Sequence, residues 1–143
     1  MSTPIDPASP LSGAAPRLLH TMLRIRDPQA MLAFYCGLLG MHALRRIEFP
    51  EERYTLIFIG YGRGRDDPQL ELWYEWDRSE PYLAGERYGH LGIGVRNIGA
   101  VCAQLRTRGV CVRRDPAPMR PGGRVIALIE DPEGNEVELL AAD

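Results

Sequence analysis

The chain repeats its own pattern at a fixed offset. His20 and His90 are 70 residues apart, and so are Arg26 and Arg96, and Asp27 and Asn97. Each half predicts the same run of elements around these markers. Residues 18–25 alternate as a strand, with Leu19, Thr21, Leu23 and Ile25 on one face and His20, Met22 and Arg24 on the other. Asp27 reads as a helix N-cap before Pro28; Met31, Phe34, Tyr35, Leu38 and Leu39 form a helical stripe that Gly40 closes. Strands are expected over 41–48, 54–60 and 69–76. The second half predicts a strand over 90–95, a cap at Asn97, a helix over 98–108 ended by Gly109, and strands over 110–114, 123–130 and 135–140. The turn Asp131-Pro132-Glu133-Gly134 precedes the last strand. Both halves therefore read β-α-β-β-β, which is an internal repeat in pattern with little identity. The expected class is α+β: two pseudo-repeated βαβββ modules whose curved mixed sheets enclose a metal cleft. The modules fall at 17–76 and 88–143 of one domain, joined by a linker at 77–87 and preceded by a flexible tail at 1–16.

Composition narrows the function. With 143 residues, the chain can bury a core without disulfide staples. Seventeen basic and nineteen acidic side chains leave a formal charge of −2, which excludes the basic stripe of a general nucleic-acid binder. No apolar run approaches the ~20 residues of a membrane span. Cys36, Cys102 and Cys111 are odd in number and form no CxxC pair, so a reducing, cytoplasmic setting is expected.

The polar residues gain meaning from the repeat. Each half carries one histidine in its first strand and one glutamate in its last: His20 with Glu71, and His90 with Glu138. Alternation turns Glu71 away from Leu70 and Leu72, and Glu138 away from Val137 and Leu139. If those apolar residues pack under the helices, both carboxylates face the concave side. Two imidazoles and two carboxylates suit a borderline divalent ion with positions left for water. A lone strand histidine is ordinarily a core or edge residue, and His42, without a counterpart in the other half, is read that way. Glu75, Glu130 and Glu136 read as solvent-facing.

The motifs Leu18-Leu19-His20-Thr21-Met22-Leu23-Arg24, Phe34-Tyr35, Leu39-Gly40-Met41, Leu70-Glu71-Leu72, Tyr88-Gly89-His90 and Val137-Glu138-Leu139 resemble the glyoxalase I family of the vicinal-oxygen-chelate superfamily. The short connections are similar to its compact bacterial type. The resemblance implies a divalent metal held by His20, Glu71, His90 and Glu138, with Ni²⁺ or Co²⁺ preferred and Zn²⁺ also accepted by such donors. It implies a lyase that isomerises the methylglyoxal–glutathione hemithioacetal to S-lactoylglutathione, with Glu138 as the base and Glu71 as its counterpart. It further implies substrate binding by Arg24, with Glu75, Arg120 and Arg124 beside it, and a homodimer whose active sites are shared between chains. Trp73-Tyr74-Glu75-Trp76 departs from the family pattern Thr-Tyr-Asn-Trp, so a carboxylate replaces a neutral amide in contact with the thiol and is expected to weaken binding. Asn135 replaces an aromatic residue. A related metalloenzyme acting on another thiol or small substrate, or a non-catalytic small-molecule binding protein, is the alternative.

Overall fold

A computed structural model describes residues 6–142. It holds two four-stranded mixed sheets. The first contains β1 (His20–Ile25), β2 (His42–Phe49), β3 (Tyr54–Gly60) and β4 (Gln69–Glu75), in the order β1-β4-β3-β2. The second contains β5 (Leu91–Val95), β6 (Val112–Pro118), β7 (Val125–Glu130) and β8 (Glu136–Ala141), in the equivalent order β5-β8-β7-β6. In both sheets the first and last strands of the module pair in parallel and the rest are antiparallel. The class is α+β, as expected. Part of the expected 1–16 tail, residues 1–5, lies outside the described residues, and 6–16 carry no helix or strand and are exposed except for the half-buried Ser9.

The first helix departs from the simple reading of its stripe. Asp27 caps α1 (Pro28–Leu32) by accepting from the Ala30 N–H at 3.0 Å, with Pro28 in the first turn. The chain then widens into a π-helical segment, Ala33–Leu38, sealed by the Leu39 N–H on the Phe34 carbonyl at 2.9 Å. Both consecutive aromatics, Phe34 and Tyr35, are buried there. At α2 (Ile98–Thr107), Asn97 stands at the N-cap in a left-handed conformation, φ 53°. Gly40 and Gly109 leave the helices at φ 77° and 81°, a region that costs glycine nothing.

Two strands differ from expectation for local reasons. β6 runs on through Pro116 and Pro118, because an edge strand can tolerate residues without an N–H. β7 starts at Val125 rather than 123, since the Gly123 N–H closes a turn on the Arg120 carbonyl at 2.8 Å.

Both helices and one face of each sheet bury side chains in a single core, including Ile25, Tyr35, Leu70, Leu72, Cys102, Ile129, Val137 and Leu139. The turn before β8 ties the halves together. Tyr35 donates its hydroxyl to the buried Asp131 at 2.9 Å, and Asp131 also accepts from the N–H groups of Glu133 and Asn135. The Glu133 carboxylate in turn accepts from the backbone N–H groups of Arg26 and Asp27 at 2.8–3.1 Å. Burial and the Asp131 carboxylate hold the Tyr35 phenol far above its ordinary pKa.

Candidate metal centre

Glu71 and Glu138 lie on the faces their neighbours leave. Leu70, Leu72, Val137 and Leu139 join the core, whereas the two glutamates project to the opposite sides. His20 opens β1, and its Nε2 lies 2.9 Å from Oε2 of Glu71. The imidazole meets Phe58 edge-on, with ring centroids 5.8 Å apart. In the second half, β5 starts at Leu91, one residue later than expected, so His90 immediately precedes it, and its Nε2 lies 3.7 Å from Oε2 of Glu138.

The equivalence extends to register. Met22, two residues beyond His20, sits opposite Glu71, and Gly92, two residues beyond His90, sits opposite Glu138. Each half thus builds the same His–Glu pair from the same strand positions. Tyr88 donates to the Glu136 carbonyl at 2.8 Å and so anchors the chain two residues before His90. Burial and Asp131 push the Tyr88 phenol up to about 12. Glu136, expected to face solvent, lies 3.9 Å from Nδ1 of His90.

The donor set fits a divalent ion. Glu71 and Glu138 are 9% and 7% exposed, and among the described residues their only ion-pair neighbours are the two histidines. A buried carboxylate needs a cation or several hydrogen bonds to offset its lost hydration. Oxygen and imidazole donors are those that Ni²⁺, Co²⁺ and Zn²⁺ accept. Yet among the described residues no three or more His, Cys, Asp or Glu side chains are arranged so that they could hold a metal ion. The pairs His20–Glu71 and His90–Glu138 do not come together in one such group.

Beside Glu71, the first sheet carries an aromatic column that the sequence reading overlooked except for Trp73. Trp73 stacks on Tyr54 at 4.3 Å between centroids, and Tyr54 on Phe49 at 4.4 Å. The Arg24 guanidinium caps the column 5.5 Å from the Trp73 ring, and its Nη1 lies 3.5 Å from Oε1 of Glu75. Cross-strand register foreshadows the column, since Tyr54 lies opposite Phe49 and beside the strand that carries Trp73. Arg24 and Glu75 are therefore brought together two strand steps from His20 and Glu71. Arg120 and Arg124 lie exposed at the turn from β6 to β7, in the other half of the chain.

Two four-stranded sheets of this order, with paired histidine and glutamate at matched positions, define a class, and sequence comparison agrees. Residues 17–139 match the Glyoxalase/Bleomycin resistance protein/Dioxygenase superfamily, and the chain belongs to it. The lactoylglutathione lyase of Salmonella typhimurium is 44% identical over 126 residues, 88% of this chain and 93% of the relative. The probable lactoylglutathione lyase of Synechocystis is 42% identical over 123 residues, 86% of this chain and 93% of its own. The trypanothione-dependent glyoxalase I of Leishmania major has a similar structure, with a TM-score of 0.80 at 36% identity over 89% of this chain and 87% of that one. Glyoxalase I from Zea mays gives a TM-score of 0.81 at 31% identity over 87% of this chain, which spans only 44% of that longer chain.

Proposed function

We propose that the chain is a lactoylglutathione lyase, a carbon–sulfur lyase that converts the hemithioacetal of methylglyoxal and glutathione into S-lactoylglutathione. The observation that carries this reading is the pair of register-matched His–Glu couples, in a chain 44% identical to a lactoylglutathione lyase. His20, Glu71, His90 and Glu138 are the proposed ligands of a divalent ion, Ni²⁺ or Co²⁺ in preference to Zn²⁺. Such an ion supplies Lewis-acid stabilisation for negative charge developing on the substrate oxygens.

The reaction removes a proton from the carbon that bears sulfur and adds one to the adjacent carbonyl carbon. Glu138 takes the proton and returns it, and Glu71 is its pseudo-symmetric counterpart. The burial of both carboxylates keeps competing water away from the proton in transit. Arg24 and Glu75 bind the thiol portion, with Arg120 and Arg124 as further cations for it. Free Cys36, Cys102 and Cys111 and a glutathione-dependent reaction suit the cytoplasm.

The working unit is a homodimer with shared active sites. The core takes the face of each sheet opposite the glutamates, and the two His–Glu pairs of one chain do not form one donor group among the described residues. The β1 edge also exposes Leu18, Leu19 and Met22, apolar surface that a second chain would cover. His20 and Glu71 of one chain would then meet His90 and Glu138 of the other.

Turnover and metal content together test the reading. Prolonged chelation should abolish formation of S-lactoylglutathione, and Ni²⁺ or Co²⁺ should restore it more fully than Zn²⁺. Undiminished turnover in protein shown by elemental analysis to be metal-free would contradict it.

A further inference from the structure

Beside the His20–Glu71 pair lies a cavity that the proposed chemistry does not use. It holds about 550 Å³, and His20, Phe58, Arg45, Arg63 and Arg65 line it. Cross-strand register places Glu71 opposite Phe58 and Phe58 opposite Arg45, so the three side chains share one face of the sheet. The Arg45 guanidinium lies 4.3 Å from the Phe58 ring, and the same ring meets the His20 imidazole. One aromatic ring thus links a permanent cation to a proposed metal ligand.

Arg63 and Arg65 come from the loop between β3 and β4, whose own acids are engaged elsewhere. Asp66 pairs with Arg17, and Asp67 accepts from the Gly64 N–H at 2.7 Å. A Cβ on Gly62 or Gly64 would run into the Asp67 side chain, so the glycines permit the turn that sets Arg63 and Arg65 on the cavity. Arg63 approaches Nδ1 of His42 at 3.4 Å. Among the described residues no carboxylate pairs with Arg45, Arg63 or Arg65. Three exposed guanidiniums around one cavity, without a counter-charge, make a site for an anion.

The position of the cavity specifies that anion. β1 and β4 run in parallel from His20 and Glu71 toward Arg24 and Glu75, the proposed thiol end. Residues 61–68 lie at the opposite end of the same sheet, before β4 begins. A hemithioacetal held between these ends has its thiol on one side and the substituent of the aldehyde on the other. The methyl group of methylglyoxal is uncharged and far smaller than the cavity. A substituent of a few carbons that ends in a carboxylate or a phosphate matches both size and charge.

We infer that Arg45, Arg63 and Arg65 form a subsite for the anionic tail of a 2-oxoaldehyde, so that acidic 2-oxoaldehydes are substrates beside methylglyoxal. The three arginines are then specificity residues for the aldehyde half of the substrate. The inference rests on the lyase reading proposed above.

Calorimetric binding of three glutathione thioethers to the metal-loaded protein tests it. One carries a pentyl tail on sulfur, one the same tail ending in a carboxylate, and one the same tail ending in a phosphate. Wild type should bind an acidic tail about tenfold more tightly than the neutral one, the scale of a hydrogen bond between charged groups, and added salt should shrink that gain. The tighter of the two acidic tails names the anion. A double variant, Arg63→Gln with Arg65→Gln, should lose the gain, bind the pentyl thioether as wild type does, and keep wild-type kinetics on the methylglyoxal hemithioacetal. With the hemithioacetal of an acidic 2-oxoaldehyde, the same variant should show a raised KM and an unchanged kcat. Arg45→Gln should also lose the gain, and Arg45→Lys should retain most of it. Acidic tails bound no more tightly than the neutral one by an active wild type, or a deficit in the variants that extends to the pentyl thioether, would overturn the inference and leave the lyase reading standing. A wild type that neither binds the thioethers nor turns over the methylglyoxal hemithioacetal would remove both.

Discussion

Glu71 and Glu138 are nearly buried carboxylates that each face a single imidazole, an arrangement that favours a cation shared between such pairs. Removing one donor should therefore act first on metal content. His20→Ala and His90→Ala are each expected to lower bound metal per chain after dialysis, measured by elemental analysis, and to abolish turnover. Glu138→Gln separates chemistry from binding. The amide retains the volume and loses the proton acceptor, so kcat should fall ~10²–10⁴-fold. Binding of S-methylglutathione by metal-replete protein should change little. A metal-replete Glu138→Gln protein with wild-type kcat would remove Glu138 from the role of base.

The link between the halves belongs to the scale of elements. Tyr35, in the π-helical segment after α1, reaches Asp131 across 96 residues of chain, and the same turn holds the backbone entering α1 through Glu133. Tyr35→Phe should cost ~1.5–3 kcal/mol of unfolding free energy, read from urea denaturation, because it takes a buried donor from a carboxylate. The pH dependence has a definite sign. The folded pKa values of Tyr35 and Tyr88 lie above the ordinary value near 10.0, Tyr88 at about 12. Unfolded phenols ionise first as pH rises, so stability is complete below about pH 10 and declines above it. Unfolding free energy followed from neutral to alkaline pH should show that decline, and Tyr35→Phe should flatten it. Equal slopes in the two proteins would place the alkaline loss elsewhere.

These elements also show what a sequence can reveal. The succession of elements along the chain and the helix ends were legible because alternation, Asp27-Pro28, Gly40 and Gly109 are local signals. The His–Glu pairs were legible because the repeat marks equivalent positions twice, which no single histidine could do. The π-helical segment was hidden, since Phe34 and Tyr35 fit an ordinary helical stripe. The extension of β6 through Pro116 and Pro118 depends on its place at a sheet edge, a fact of topology. The Phe49–Tyr54–Trp73 column depends on which strands pair and in what register, which residue type and spacing alone do not encode.

At the scale of the molecule, a single hydrophobic core takes the apolar face of each sheet and the two His–Glu pairs stay apart, so under the proposed reading a second chain completes the donor set. A two-fold dimer would present the β1 half of one subunit to the β5 half of the other and build two identical sites. Subunit complementation tests this directly. His20→Ala and His90→Ala proteins, each inactive alone, are unfolded together and refolded with metal, and mixed dimers are confirmed by native mass spectrometry. With shared sites, a mixed dimer gathers both lesions in one site and leaves the other intact. Random pairing makes about half of the dimers mixed, so about a quarter of wild-type activity should return. If each site lay within one chain, every site would keep one lesion, and mixed dimers without lyase activity would contradict the shared-site arrangement.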